Sequence, residues 1–529
     1  RRRAPHRPRI AAALALVALA GSPAAARADS EIVLEGEVPA GEPDHFFLDF
    51  EVPPGTLEIQ VAHDDLDEDN ILDWGLEDPD GFRGWGGGNS EDAIVSELAA
   101  SRSYLAGPIA PGAWRVVVGK AKLVNQPAPY KVTITLRDAP TLDSQTERQP
   151  YVPADLGGGP RWYAGDFHVH SRESGDAQPS LDAIADFARG RGLDFALISD
   201  HNTISQLDFY VDAQGRHPDF LFLPGMEFTT YDGHASAIGV TQWVNHRIGA
   251  EGATIEAAAQ AIIDQGGIMS PNHPAFDLGD LCIGCAWAQP LDPAMLGAVE
   301  VATTGLDKAG KSFTGPAIKF WDGLCAEGHH LAAIGGSDDH KGGQSQGFFD
   351  SPIGDPTTMV YAESLSAAAI LAGIRAGRTV VKLQGPGDPM IELSAADAAI
   401  DGDTITADAV TLKARVSGAP AGSKLRFVRN GAGVIDIDIT GDPFEGTIDA
   451  LAPAAGEDRW RAEVFVGGNR HTITSHLWLR EDPASSATTT GSSGGETASG
   501  GSGSGGGEGS GGATTGAATG TSGASATGG

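Results

Sequence analysis

The stretch Asp166-Phe-His-Val-His-Ser-Arg-Glu-Ser-Gly-Asp176, followed by a helix-like run and then Ala196-Leu-Ile-Ser-Asp-His-Asn202, decides how the chain is read. His168 and His170 stand two apart, so in an extended strand they project to one side, where both imidazoles reach a single metal ion. Asp176 follows in a Gly- and Ser-rich loop. Ser180 is placed to cap a helix whose apolar residues Leu181, Ile184, Phe187 and Ala188 recur at helical spacing, with Gly190 and Gly192 at its end. The apolar run 195–199 then delivers Asp200 and His201. The pattern predicts a strand–helix–strand unit with ligand-type side chains where each strand stops. In parallel α/β architectures that end carries the chemistry.

Working outward, the same alternation continues. A short strand precedes Gly225-Met-Glu227-Phe, and Gly233-His234 opens the apolar run Ala235–Val240. Thr254 caps a predicted helix through Gln265, and the next run leads to Asn272-His273-Pro274. A strand at Ala298–Val301 contains Glu300. A helix is expected over Pro316–Ala326, then a strand ending in Gly335-Gly-Ser-Asp338-Asp-His340. The region closes with strand, Ala-rich helix (Ser366–Ala376) and strand. Repeated alternation over residues 160–384 predicts an α/β fold, a parallel barrel in preference to an open sheet on size.

The flanks read differently. Residues 30–140 have short β-type segments separated by Pro-Gly turns, which predicts a β-sandwich, and 141–159 is a polar linker. Residues 388–482 predict a second, Ig-like sandwich. Residues 483–529 are almost entirely Gly, Ser, Thr and Ala, a disordered spacer by composition. Residues 1–28 carry a basic start, an apolar run from Ile10 to Ala20 and Ala26-Arg27-Ala28, the pattern of a secretory signal peptide. Export is therefore expected, and the absence of any later run of ~20 apolar residues argues against membrane insertion.

With 70 acidic against 36 basic side chains, the net charge is −34, which excludes a duplex nucleic-acid partner. Cys282-x-x-Cys285 and Cys325 are the three cysteines. In an exported chain a disulfide is favoured over a zinc or redox site, with Cys325 also in play as one partner. Asp65, Asp67 and Asp69 alternate as in a calcium loop but lack its Gly at the sixth position and its acid at the twelfth.

Collected at predicted strand ends, His168, His170, Asp176, His201, Glu227, His234, His273, Asp338 and His340 supply nine nitrogen and oxygen donors. Such mixtures suit zinc, manganese or iron, and nine are too many for one ion, so two or three divalent metals per chain are expected. These runs resemble the PHP (polymerase and histidinol phosphatase) superfamily. Within it they look most like the CehA/McbA type, because Glu227 is followed closely by Gly-His234. The resemblance covers residues 160–384. It implies a distorted (β/α)7 barrel with a trinuclear metal cluster in a cleft at the strand C-termini. By motif it places His168, His170, Glu227 and Asp338 on one metal. Glu227 then bridges to a second, held by His234 and His273, and Asp176, His201 and His340 hold a third. Asp176 stands where the family often has His.

The function so implied is a secreted phosphoesterase in which two cations acidify a water beside a small phosphate ester. A carbamate, ester or amide hydrolase on the same site is the alternative, and a non-catalytic surface-binding protein the third. Arg172 and Lys341, each next to ligands in sequence, are candidates for gripping phosphate oxygens. Asp200 and Asp339 are candidates for orienting imidazoles, and Glu300 for lining the cleft. The β-sandwiches are expected to position the barrel or to contact a polymer of the cell envelope.

Overall fold

The computed structural model describes residues 29–482 except 42, 306–307, 345–346, 349–350, 396–398 and 454–455. The signal-peptide expectation for 1–28 and the spacer expectation for 483–529 lie outside the described residues. Strand Arg161–Val169, helix Leu181–Gly190 and strand Phe195–Ile198 form the expected unit, the two strands parallel with Phe195 opposite Gly165. The Ser180 hydroxyl caps the helix, accepting from the Ala183 N–H at 3.2 Å. Leu181, Ile184, Ala185 and Ala188 form its buried stripe, with Phe187 at the edge. Thr254 caps helix Ile255–Asp264 and Ser366 caps helix Ala367–Arg375 by the same device. The helix expected from Pro316 begins earlier, at Gly310. The added turns bury Thr314 and set Phe313 edge-on against Phe276 at 3.8 Å, which offsets the N–H that Pro316 lacks.

After Leu223 the parallel alternation breaks. Strands Gly225–Thr230 and Gly233–Ile238 are joined by only Tyr231 and Asp232, too short for a crossover, so they pair antiparallel. Ile268–Pro271 adds to them antiparallel, whereas Ala298–Thr303 and Ala332–Gly336 are parallel. Thr357–Ala362 runs antiparallel to both Arg161–Val169 and Thr379–Lys382. These pairings do not show the distorted (β/α)7 barrel that the resemblance implies. The region is mixed α/β, with many strands in several sheets and few helices. Two isolated parallel bridges, Val169 to Asp339 and His201 to Glu227, draw the ends of these sheets together.

The N-terminal region packs two four-stranded antiparallel sheets around Trp114, Ile59, Val61, Val116 and Ile134. Strands Ile71–Asp78, Gly81–Gly87 and Ala93–Ser96 complete it; acidic or Gly-rich composition hid the first two from a propensity reading, and the third is only four residues long. In the acidic turn before them, the Asn125 amide donates to Asp67 Oδ2 at 3.1 Å and Asp69 Oδ2 at 3.3 Å. These acids form no metal-type group among the described residues. The C-terminal β region is not a separate unit: Asn469–Thr474 pairs with Thr379–Lys382, so one of its sheets continues the central one. Among the described residues no helix is long and apolar enough to cross a membrane.

Candidate metal centre

The nine predicted donors converge. They fall into groups whose ligand atoms lie within 4.8 Å of one another: His170, Asp176, His201 and His340; His168, His170 and Glu227; His168, His273 and Asp338; and His234 and His273 with Cys285. His168 belongs to strand Arg161–Val169, Glu227 and His234 to the hairpin, and the others follow strand ends. Gly336 lets the strands meet, since a Cβ there would lie 2.3 Å from that of His168. Two ligands sit in the left-handed region, Asp338 at φ 57° and His273 at φ 31°. Their N–H groups hold them there, donating to the His168 carbonyl at 2.8 Å and to Glu300 Oε2 at 2.6 Å.

Glu227 is the hub. Its Oε1 lies 3.3 Å from His168 Nε2, 3.4 Å from His234 Nδ1 and 3.4 Å from His273 Nε2. Its Oε2 lies 2.9 Å from His201 Nδ1 and 3.5 Å from His170 Nε2. The Asn272 amide steadies it, donating to Oε1 at 2.8 Å. Asp338 Oδ1 is 3.2 Å from both His168 Nε2 and His170 Nε2, and Asp176 Oδ2 is 3.2 Å from His340 Nε2 and 3.5 Å from His201 Nε2.

The outer ring nitrogens decide the tautomers. His273 Nδ1 faces the Cys285 carbonyl at 3.0 Å, His234 Nε2 the Ile283 carbonyl at 3.2 Å, and His340 Nδ1 the Asp338 carbonyl at 2.9 Å. A carbonyl only accepts, so each facing nitrogen carries the hydrogen and the opposite one keeps its lone pair toward the carboxylates. Glu300 does the same for His168, at 3.2 Å from its Nδ1. This is how metal-binding imidazoles are held. The inner atoms His168 Nε2, His170 Nε2, His234 Nδ1 and Glu227 Oε2 are buried without a hydrogen-bond partner, the condition a cation would relieve. The residues present therefore fit divalent metals.

Burial alone would raise the Glu227 carboxyl, but the imidazoles of His168 and His201 outweigh it and hold it well below the carboxylate range. Burial, with the charge of His340, pushes His170 down to about 3. Burial would also lower His340, yet with no cation present Asp176 and Asp338 carry it up to about 9, so its inner nitrogen holds a proton that a metal ion would displace to use the lone pair.

The other candidates lie elsewhere. Asp200 accepts from the Ser171 N–H and hydroxyl, both at 2.6 Å, and burial pushes its carboxyl up to about 8; it fixes the loop rather than an imidazole. Asp339 accepts from the N–H groups of Lys341 and Gly343, closing the turn after His340. Arg172 is exposed, with its Nε 3.6 Å from Glu173, and Lys341 borders a separate surface hollow with Pro179 and Phe187. Cys282 and Cys285 are disulfide-bonded, while Cys325 is a free thiol buried beside Trp321, which removes it as a partner. Sequence reasoning missed that the disulfide loop supplies both carbonyls that orient His234 and His273. It also passed over His246, and did not consider His45, Asp73 or Trp85; all four line the cleft of about 680 Å³ that opens beside Asp176, His201 and His234.

No known family description matches the chain, and no curated protein is similar to it. Among solved structures it is similar to a two-domain protein containing a predicted PHP-like metal-dependent phosphoesterase from Bacteroides vulgatus, at 19% identity. That likeness covers 63% of this chain and 100% of that one, with a TM-score of 0.36. A protein described as a metal-dependent phosphoesterase from Bifidobacterium adolescentis is 16% identical over 36% of this chain and 92% of its own, with a TM-score of 0.26. A CARDB domain from Pyrococcus furiosus is 13% identical over 18% of this chain and 96% of its own, with a TM-score of 0.14. Likenesses this distant carry no argument about chemistry, which rests on the side chains.

Proposed function

We propose that the chain is a metal-dependent hydrolase of small phosphate esters, a PHP-type enzyme of the CehA/McbA kind, exported from the cell that makes it. The observation that carries the reading is the set of four imidazoles whose outer nitrogens are anchored while their inner lone pairs face shared carboxylates. Divalent cations held there would acidify a water and neutralise charge on phosphoryl oxygens. His168, His170, Glu227 and Asp338 would hold one, Glu227, His234 and His273 a second, and Asp176, His201 and His340 a third. The chain's own part is rigidity: Asn272 and Glu300 keep the hub and His168 from turning, and the backbone carbonyls lock three further rings. A cluster of cations in a buried site favours an anionic substrate with several oxygens, which a phosphate ester is.

The test is turnover of p-nitrophenyl phosphate, bis-p-nitrophenyl phosphate, an aryl carbamate and an aryl acetate by the metal-loaded chain, beside His168→Ala. Phosphate-ester cleavage lost in the variant is expected. Cleavage of the carbamate or acetate alone would move the reading to that bond, and no cleavage at all would leave a binding protein.

A further inference from the structure

The cleft has two walls from different parts of the chain. Asp176, His201 and His234 stand on one; the other combines His45, Asp73 and Trp85 of the N-terminal sandwich with Tyr231 and His246. The second wall is fixed in place. The Tyr231 hydroxyl donates to Asp73 Oδ2 at 2.7 Å, and Gly119 lies so close that a Cβ there would stand 2.2 Å from that hydroxyl. Phe82 stacks on Trp243 at 4.3 Å, and Arg247 pairs with Glu77. On the far side the Ser103 hydroxyl donates to the Glu173 carbonyl at 2.8 Å. A tethered adhesive module needs none of these contacts.

Within this wall His45 and His246 are 5% and 2% exposed, and none of their four ring nitrogens has a hydrogen-bond partner. The two rings meet edge to face at 5.6 Å, and Trp85 contacts both. Burial, then Arg247 and Lys120, hold His45 down to about 3; burial, then His45 and Arg247, hold His246 well below its usual range. Both rings are therefore neutral at pH 7. A buried polar group left unmatched is unfavourable, so the arrangement calls for a ligand that supplies partners. The convergent metal-type groups among the described residues are those of the metal centre, and none includes His45, His246 or Asp73.

A neutral imidazole offers one donor and one acceptor, and a hydroxyl answers both. A second anion would fare badly here. Arg102, which also borders the cleft, already donates to Glu91 Oε2 and to the Ala177 carbonyl, each at 3.0 Å, and Asp73 and Glu91 are acidic. Aromatic faces beside hydroxyl-bonding groups suit a sugar-like ring.

We infer that this wall is a subsite for an uncharged, hydroxyl-rich part of the substrate, a sugar or polyol esterified to the phosphate. The N-terminal sandwich thereby selects what the metal centre cleaves. The inference rests on the phosphate-ester reading for the position of the scissile bond, and binding tests it apart from turnover. Calorimetric titration of the full, metal-loaded chain compares a non-hydrolysable glucose 1-phosphonate with methylphosphonate, and phosphate release is followed separately with glucose 1-phosphate. The wild type is expected to bind the sugar phosphonate at least about tenfold tighter. That margin should collapse in His45→Phe and in His246→Phe, which keep aromatic packing, with circular dichroism and metal content checked on each. Equal affinity in the wild type, or a margin intact in both folded variants, overturns the subsite. A margin without phosphate release would instead sink the hydrolase reading and leave the subsite standing.

Discussion

The two β regions flank the same central region and bury cores of similar kind, yet only the N-terminal one reaches the cleft. It meets the centre through side chains across a seam, with Glu77 between Arg247 and Arg115, and Tyr231 on Asp73. The C-terminal one is joined by backbone pairing of Asn469–Thr474 with Thr379–Lys382. Arg461 on Asp322 at 2.6 Å and His476 stacked on Trp321 at 4.1 Å reinforce that join. None of its described residues lines the cleft. A continued sheet leaves no gap at its join, whereas a seam of side chains can enclose one. The first join makes a scaffold and the second makes a site.

The largest test of this contrast pairs two variants. Glu77→Ala strands the buried Arg247, and Arg461→Met leaves Asp322 short of a partner; each is expected to cost about 3–5 kcal/mol of stability, read as a lowered denaturation midpoint. Only Glu77→Ala should also raise KM for a phosphate ester, measured well below either midpoint. Equal kinetic damage from both would break the comparison.

A smaller effect is expected from reducing the Cys282–Cys285 bond. The freed loop should let the Ile283 and Cys285 carbonyls drift from His234 and His273, weakening the metal they hold about tenfold, the scale of losing an outer partner. Metal retention after dialysis, with and without reductant, reads this directly; unchanged retention would assign the orientation to the rings' own packing.

The smallest effect at neutral pH is on stability, and it treats both joins alike. His45 at the N-terminal seam and His476 at the C-terminal one are held by burial at about 3 and about 4, below the ordinary 6.5. The unfolded chain thus binds more protons between those values and 6.5, so stability is complete above pH 6.5 and falls as pH drops toward 4. Thermal scans across pH 7 to 4 should show the decline, flattened by His476→Phe; a flat wild-type curve would contradict it.

Much of the site was legible because six of the nine ligands stand beside Gly, Asp, Asn or Pro, a local signal that survives without knowing the topology. His168 and His170, two apart, carry a different signal, the period of a strand. The antiparallel hairpin around Tyr231 was not recognised, although its two-residue turn was in view, because apolar runs look alike in parallel and antiparallel strands. Asp200 and Asp339 sit beside ligands in sequence, but adjacency along a chain sends neighbouring side chains to different sides, and both were found bracing turns. His45, Asp73 and His246 carry no pattern at all. Their role follows from a docking between distant segments that local periodicity does not encode.

Nine donors converge around Glu227 and Asp338 as a multinuclear metal site would require. The most direct measurement is the metal content of the purified full chain by elemental mass spectrometry after exhaustive dialysis, for the wild type and Glu227→Gln. Two or three divalent ions per wild-type chain, and the loss of at least one in the variant, are expected. A wild type that retains none, after both manganese and zinc have been offered, would contradict such a site.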